Sequence, residues 1–150
     1  MGVVNLPRKR RLALALAVAL AGVCAAAAAW WLHQQHHPTE AVNAAKAFVH
    51  DMERHDHAAA FARTLGGPAT GTTPLELART ARRQLCPPAA VVYTIPFQSH
   101  GNRLRRWVAG REVDEPQVRV EFAGACLFGV TLRRVGPGQW RVTRFDSHAG

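Results

Sequence analysis

Several familiar chemistries are missing from this 150-residue chain. It has no G-x-S-x-G nucleophile elbow, no glycine loop of the kind that cradles phosphates, and no C-x-x-C pair, so serine-hydrolase, nucleotide-binding and dithiol-redox readings have no motif to rest on. Cysteine is scarce, with three residues, and acidic residues number 10 against 19 lysines and arginines, a formal net charge of +9. Four of those basic residues are Arg8, Lys9, Arg10 and Arg11. The other fifteen and all ten acids follow Leu32, which leaves the remainder moderately basic at +5. The length leaves room for one small domain after the N-terminal segment and excludes a second.

What the chain does have is a long apolar run, Leu12 to Leu32, directly behind the basic cluster. As a helix rising 1.5 Å per residue it would be about 31 Å long, the thickness of a bilayer's hydrocarbon core. Leu12, Leu16 and Leu20 lie in its first half, and Trp30 and Trp31 stand where it would leave the hydrocarbon, the level at which amphipathic rings gather. Residues 33–43 contain no Lys or Arg, so the positive-inside bias places the N-terminus in the cytoplasm and the rest of the chain outside. Ten of the 21 residues in the run are alanine, which makes it only modestly hydrophobic. A cleaved signal peptide, using the small residues Ala25 to Ala29, competes with an anchor, and a lipid attachment at Cys24 meets a bulky Val23 where a small residue is wanted. All three export the domain. The expected organisation is a basic cytoplasmic tail over 1–11, a transmembrane helix or signal segment over 12–32, a linker over 33–38, and an exported α+β domain over 39–150. The bilayer itself is then one partner, and the basic charge points to lipid headgroups or envelope polymers instead of nucleic acid. Export also allows Cys86 and Cys126 to pair as a disulfide, the alternative being two separately buried thiols.

After Pro38, three amphipathic helices are expected. Ala41, Ala45, Phe48, Val49 and Met52 recur at helical spacing behind a Thr39 cap. Asp56 is placed to cap an Ala-rich second helix from His57 to Leu65, and Thr73-Pro74-Leu75-Glu76 is a capping box opening a third, whose apolar side carries Leu77, Ala78, Ala81 and Leu85. Between the first two helices lie His50, Glu53, His55 and His57. Asp51 with His55 and Glu53 with His57 stand at i,i+4, the separation that places two metal ligands on one helix face, although a zinc helix presents two histidines there. A solvated helix end accounts for the same residues.

From Val91 the period becomes two. Val91, Tyr93, Ile95 and Phe97 make one apolar face, Val118, Val120 and Phe122 another, and the runs Cys126 to Val135 and Gln139 to Phe145 form a hairpin around Gly136-Pro137-Gly138. The strand carrying Phe128, Val130 and Leu132 has a half-apolar opposite face and belongs in the middle of the sheet. The segment from Gly101 to Arg111 is read as a further strand, making four to five, although Arg106 breaks its alternation and a helical turn joining Leu104, Trp107 and Val108 is the alternative. It concentrates Arg103, Arg105, Arg106, Trp107 and Arg111, a composition suited to gripping anionic groups, or to guarding a sheet edge. Asp146 and His148, two residues apart, with His100 as a third member, are the acid–base candidates. With no catalytic motif among them, a non-enzymatic protein without cofactor is expected.

The fold class read from these patterns is α+β: an N-terminal membrane helix, then three helices packed on a curved antiparallel sheet. This order resembles the nuclear transport factor two and cystatin-like superfamily of α+β cones. Ala45, Phe48, Asp56, Ala60 and Phe61 at the front and Gly138-Gln139-Trp140-Arg141-Val142 in the closing hairpin carry the resemblance, which spans Pro38 to His148. Members with a short cytoplasmic tail, one membrane span and a small cone outside include assembly factors of bacterial secretion machines and accessory proteins of lipid-transport systems. The function expected is that of an envelope protein whose exported domain binds another protein, or itself, the alternatives being a binder of anionic lipid or envelope polymer through the basic and aromatic patch, and a small exported enzyme or metal-binding protein. Fold alone does not assign a function.

Overall fold

A computed structural model describes residues 7–84, 86 and 88–148. Helix α1 (Arg8–His33) is followed by α2 (Thr39–Glu53), α3 (His57–Ala62), α4 (Pro74–Gln84), strand β1 (Pro88–Ile95), helix α5 (His100–Val108), and strands β2 (Gln117–Gly124), β3 (Leu127–Gly136) and β4 (Gln139–His148). The chain is therefore α+β, with an apolar N-terminal helix and an antiparallel four-stranded sheet in the order β1-β2-β3-β4. Helix α1 takes in the basic residues from Arg8 onward, so the expected tail over 1–11 is partly helical; residues 1–6 lie outside the described ones. Its stretch Leu12–His33 is long and apolar enough to cross a membrane, and none of it is buried in the protein.

The helices form where the spacing places them. Ala41, Ala45, Phe48, Val49 and Met52 are the buried face of α2, with Pro38 instead of Thr39 in the cap position. Asp56 caps α3 by accepting from the Ala59 amide at 3.0 Å. That helix is shorter than expected: after Ala62 the chain bonds sideways to β4, Leu65 N–H to the Val142 carbonyl and Val142 N–H to that of Arg63, both at 2.9 Å. At α4 the Glu76 amide donates to Thr73 Oγ1 (3.2 Å), while the Glu76 carboxylate turns back to the amide and hydroxyl of Thr72. Leu77, Ala78 and Ala81 are its buried side; Leu85 lies outside the described residues.

Helix α2 packs on β2, β3 and β4, α4 on β4, and α3 on α2 and α4. The core closes between Phe48, Met52 and Leu77 on the helix side and Val118, Val120, Phe128, Val130, Leu132, Val142 and Phe145 on the sheet side. Strand β3, with Phe128, Val130 and Leu132 all buried, runs between β2 and β4 as its two-sided pattern requires.

Two expectations are corrected. The segment from Gly101 to Arg111 is not a strand: His100–Val108 is helical, with Ser99 Oγ accepting from the Asn102 amide (3.2 Å) as N-cap and Gly110, at φ +65°, in the left-handed turn that ends it. Leu104 and Val108 are four apart, a helical interval, and Arg106 spoils the strand alternation because there is none. In β1, the register shifts between Val91 and Tyr93. That bulge breaks the parity of the apolar series: Val91 and Thr94 face the helices opposite Phe122 and Val120, whereas Tyr93 and Ile95 turn to the other side opposite Glu121 and Arg119.

Candidate functional site

The four histidine-cluster residues do not assemble. Helix α2 ends at Glu53, and His55 takes a left-handed backbone (φ 59°) in the turn before α3. The i,i+4 relations of Asp51 with His55 and Glu53 with His57 are lost with the helix. His50 and Glu53 border a cleft beside Val91 and Phe122, while His55 and His57, with ring centroids 6.0 Å apart, line a separate one with Arg82. Asp51 instead accepts from Arg63 Nε at 2.6 Å. Among the described residues no group of three or more His, Cys, Asp or Glu side chains is placed to hold a metal.

The basic and aromatic residues of α5 are divided by acids that follow them. Arg103 is paired with Asp114 at 2.9 Å, and Arg106 binds Glu115 and the Glu112 carbonyl. Arg105 bonds Asn102, and neither it nor Arg111 has a carboxylate partner among the described residues. Both are exposed, as is Trp107. The helix is held at the end of α1. The Trp31 ring stacks on His100 with centroids 4.3 Å apart, and Gly101 is so close to the Leu32 carbonyl that a Cβ there would stand 3.0 Å from it. The linker is tied to it as well: the His36 amide donates to the Gln98 carbonyl (2.7 Å) and the His100 amide to that of Gln34 (3.2 Å), which together make an antiparallel bridge between Gln35 and Ser99. Burial, and then the Arg103 guanidinium, push the His36 imidazole below its usual range against the opposing charge of Asp114, 3.8 Å away.

The constellation that sequence reasoning missed is on the face of the sheet turned away from α2, α3 and α4. Antiparallel pairing aligns Tyr93, Glu121, Gly129 and Asp146 in one row across the four strands, and Ile95, Arg119, Thr131 and Arg144 in the next. Arg119 crosses from its row to the other. Its guanidinium lies over Gly129, where any Cβ would overlap it, and binds Glu121 on one side and Asp146 on the other. Arg144 Nε holds the second Asp146 oxygen at 3.0 Å, and His148 Nε2 lies 2.9 Å from Arg119 Nη2 and 3.6 Å from Asp146. Glu121 is only 4% exposed although it belongs to an uncovered face, and its Oε2 has no partner among the described residues.

Chemically, this is a locked ion-pair network. Burial raises the Asp146 carboxyl, but the hydrogen bond and charge of Arg119, followed by Arg144, outweigh it and keep the acid below its usual range. The same two carboxylates raise Arg119 despite its burial. Asp146 and His148 do meet, as their spacing allowed, but His100 is elsewhere, stacked on Trp31. One signal for the network was in the sequence: Arg119 and Glu121 share the polar side of β2, and a glycine inside a strand marks a close approach. The reach to Asp146 needed the β3–β4 register.

Cys86, after α4, is disulfide-bonded to Cys126 in the turn between β2 and β3, with Cα atoms 6.2 Å apart. The bridge ties the helix layer to the sheet. Cys24 is a free thiol on the exposed surface of α1.

The chain matches no protein-family model, no curated protein and no solved structure.

Proposed function

We propose that this chain is a single-pass protein of the bacterial cell envelope, anchored by α1 with its N-terminus in the cytoplasm, whose exported domain is a non-enzymatic binding module for another envelope protein or a second copy of itself. The observation that carries the reading is the network of Arg119, Glu121, Asp146 and Arg144 on a sheet face that no described helix covers. A charged face built to stay solvated has no need of interlocked side chains or of a glycine that makes room for one of them. A docking surface gains from both, because groups ordered in advance lose little entropy on association. Tyr93 and Ile95 extend the face with apolar area. An enzymatic role fits less well, since Asp146, the acid nearest an imidazole, has both oxygens engaged by guanidinium groups.

The order of helices and strands, with Ala45, Phe48 and Ala60 in the core and Asp56 capping α3, is consistent with the cone-like superfamily that the sequence resembles, and membership is part of this proposal. The test is photo-crosslinking in cells from residues replaced at Tyr93 or Arg144, with Arg79 on the exposed side of α4 as control. The proposal expects adducts to one defined envelope protein, or to a second copy, from 93 and 144 and not from 79. Equal adducts from all three, or none from the sheet face, would overturn it.

A further inference from the structure

Helix α5 has no buried residue. Leu104 is 45% exposed, Trp107 67% and Val108 72%, and Phe97, just before the helix, is 60% exposed. On a helical projection Leu104, Trp107 and Val108 fall on one side, with Arg106 opposite and Arg103 and Arg105 at the two borders. Such a stripe beside the solvent is unusual for a small domain. Its position supplies the occupant. The first turn of α5 is packed against Leu32 and stacked on Trp31, the last residues of the segment that is long enough to span a bilayer, and Leu32, Phe97, Gly101 and Leu104 line a shared cleft of about 470 Å³. The two backbone hydrogen bonds between residues 34–36 and 98–100 hold the helix at that level.

We infer that α5 is an interfacial helix, seated in the outer headgroup layer of the membrane that α1 spans. Leu104, Trp107, Val108 and Phe97 enter the boundary of the acyl chains, continuous with Trp30 and Trp31, and Arg105 and Arg111 meet lipid phosphates. The charge distribution fits this orientation. Arg106, opposite the stripe, and Arg103, at the border turned toward the loop after α5, are half-buried and neutralised by Glu115 and Asp114, while the two exposed arginines left without acids stand at the other border and just past the end of the stripe. A single spanning helix fixes where a domain is attached but leaves its tilt free. A second contact at α5 fixes the tilt, so the sheet face is presented in one orientation to whatever it binds. The inference rests on α1 being a membrane span.

The test uses the full chain with Cys24→Ala and its disulfide intact, reconstituted in vesicles of phosphatidylcholine and phosphatidylglycerol. Nitroxides are placed one at a time by Val18→Cys, Leu104→Cys, Val108→Cys and Arg141→Cys, and their collision rates with oxygen and with a water-soluble nickel chelate are compared. The expected result is oxygen-favoured collision at 18, 104 and 108, with chelate collisions at 108 at least about threefold below those at 141. If 108 meets the chelate as often as 141 while 18 does not, α5 faces water and the inference fails with the anchor intact. A water-accessible label at 18 removes the anchor and this inference with it. Protection of 108 from oxygen and chelate alike would mean that protein covers the helix, which also overturns it.

Discussion

Replacing Gly129 by alanine asks whether Arg119 is pinned or merely resting on the sheet. Alanine is ordinarily the better strand residue, by about 0.5–1 kcal/mol of backbone entropy. If the guanidinium could swing into water at no cost, Gly129→Ala would therefore stabilise the domain. In the structure a Cβ there overlaps the Arg119 side chain, and displacing it strips Glu121 and Asp146 of their shared partner. Removing one member of a buried ion pair costs about 3–5 kcal/mol when nothing compensates. Here Asp146 keeps Arg144 and Arg119 is itself partly exposed, so Arg119→Met is expected to cost about 2–3 kcal/mol. Gly129→Ala, offset by its entropy gain, is expected to cost about 1–2 kcal/mol. The assay is urea unfolding of the full chain in detergent, followed by near-ultraviolet circular dichroism; with slopes of about 1–3 kcal/mol/M, Arg119→Met should lower the midpoint by about 0.7–3 M. Combining Arg119→Met with Glu121→Gln should restore about half of the loss, because no uncompensated charge is then buried. A Gly129→Ala variant more stable than the parent, with Arg119→Met within a few tenths of a kcal/mol of it, would refute the reasoning and reduce the network to ordinary surface charge.

Three further outcomes follow from other parts of the molecule. Reduction of Cys86–Cys126, which closes a loop 40 residues apart in sequence, should lower stability by about 3–4 kcal/mol on the chain-entropy account, read as a shift of the urea midpoint with and without reductant. His36 is held below its usual range, so the unfolded chain binds its proton more readily; the resulting stability is complete above about pH 6.5 and declines as pH falls through the folded value, and His36→Gln should flatten that slope in midpoints measured across the range. Asp56→Ala should remove the α3 cap at a cost of about 1 kcal/mol and increase amide exchange at Ala59 before other sites.

The parts of the fold that were legible are those governed by local periodicity. The buried face of α2 follows the 3.6-residue spacing from Ala41 to Met52, the capping residues at Asp56 and Thr73 lie where side-chain chemistry requires a helix to begin, and the two faces of β3 identify a central strand. What escaped depended on structure that periodicity does not encode. A bulge between Val91 and Tyr93 reversed which side chains of β1 face the core. Nine residues beginning at His100 became a helix because Ser99 caps them and α1 receives them. The acids that neutralise Arg103 and Arg106 come from the following loop, and Asp146, 27 residues from Arg119, reaches it through two strand pairings. The histidine cluster dissolved because the helix needed to align it stops at Glu53.

The central claim is an anchored domain lying outside the membrane. Its most direct test is Arg141→Cys in the Cys24→Ala chain, exposed to a membrane-impermeant maleimide in cells whose inner membrane is intact, with the mass of the membrane-extracted protein measured on the same sample. The account predicts labelling before lysis and a mass that still includes α1. Labelling only after lysis, or a mature chain that begins after a cut among Ala25 to Ala29, would contradict it.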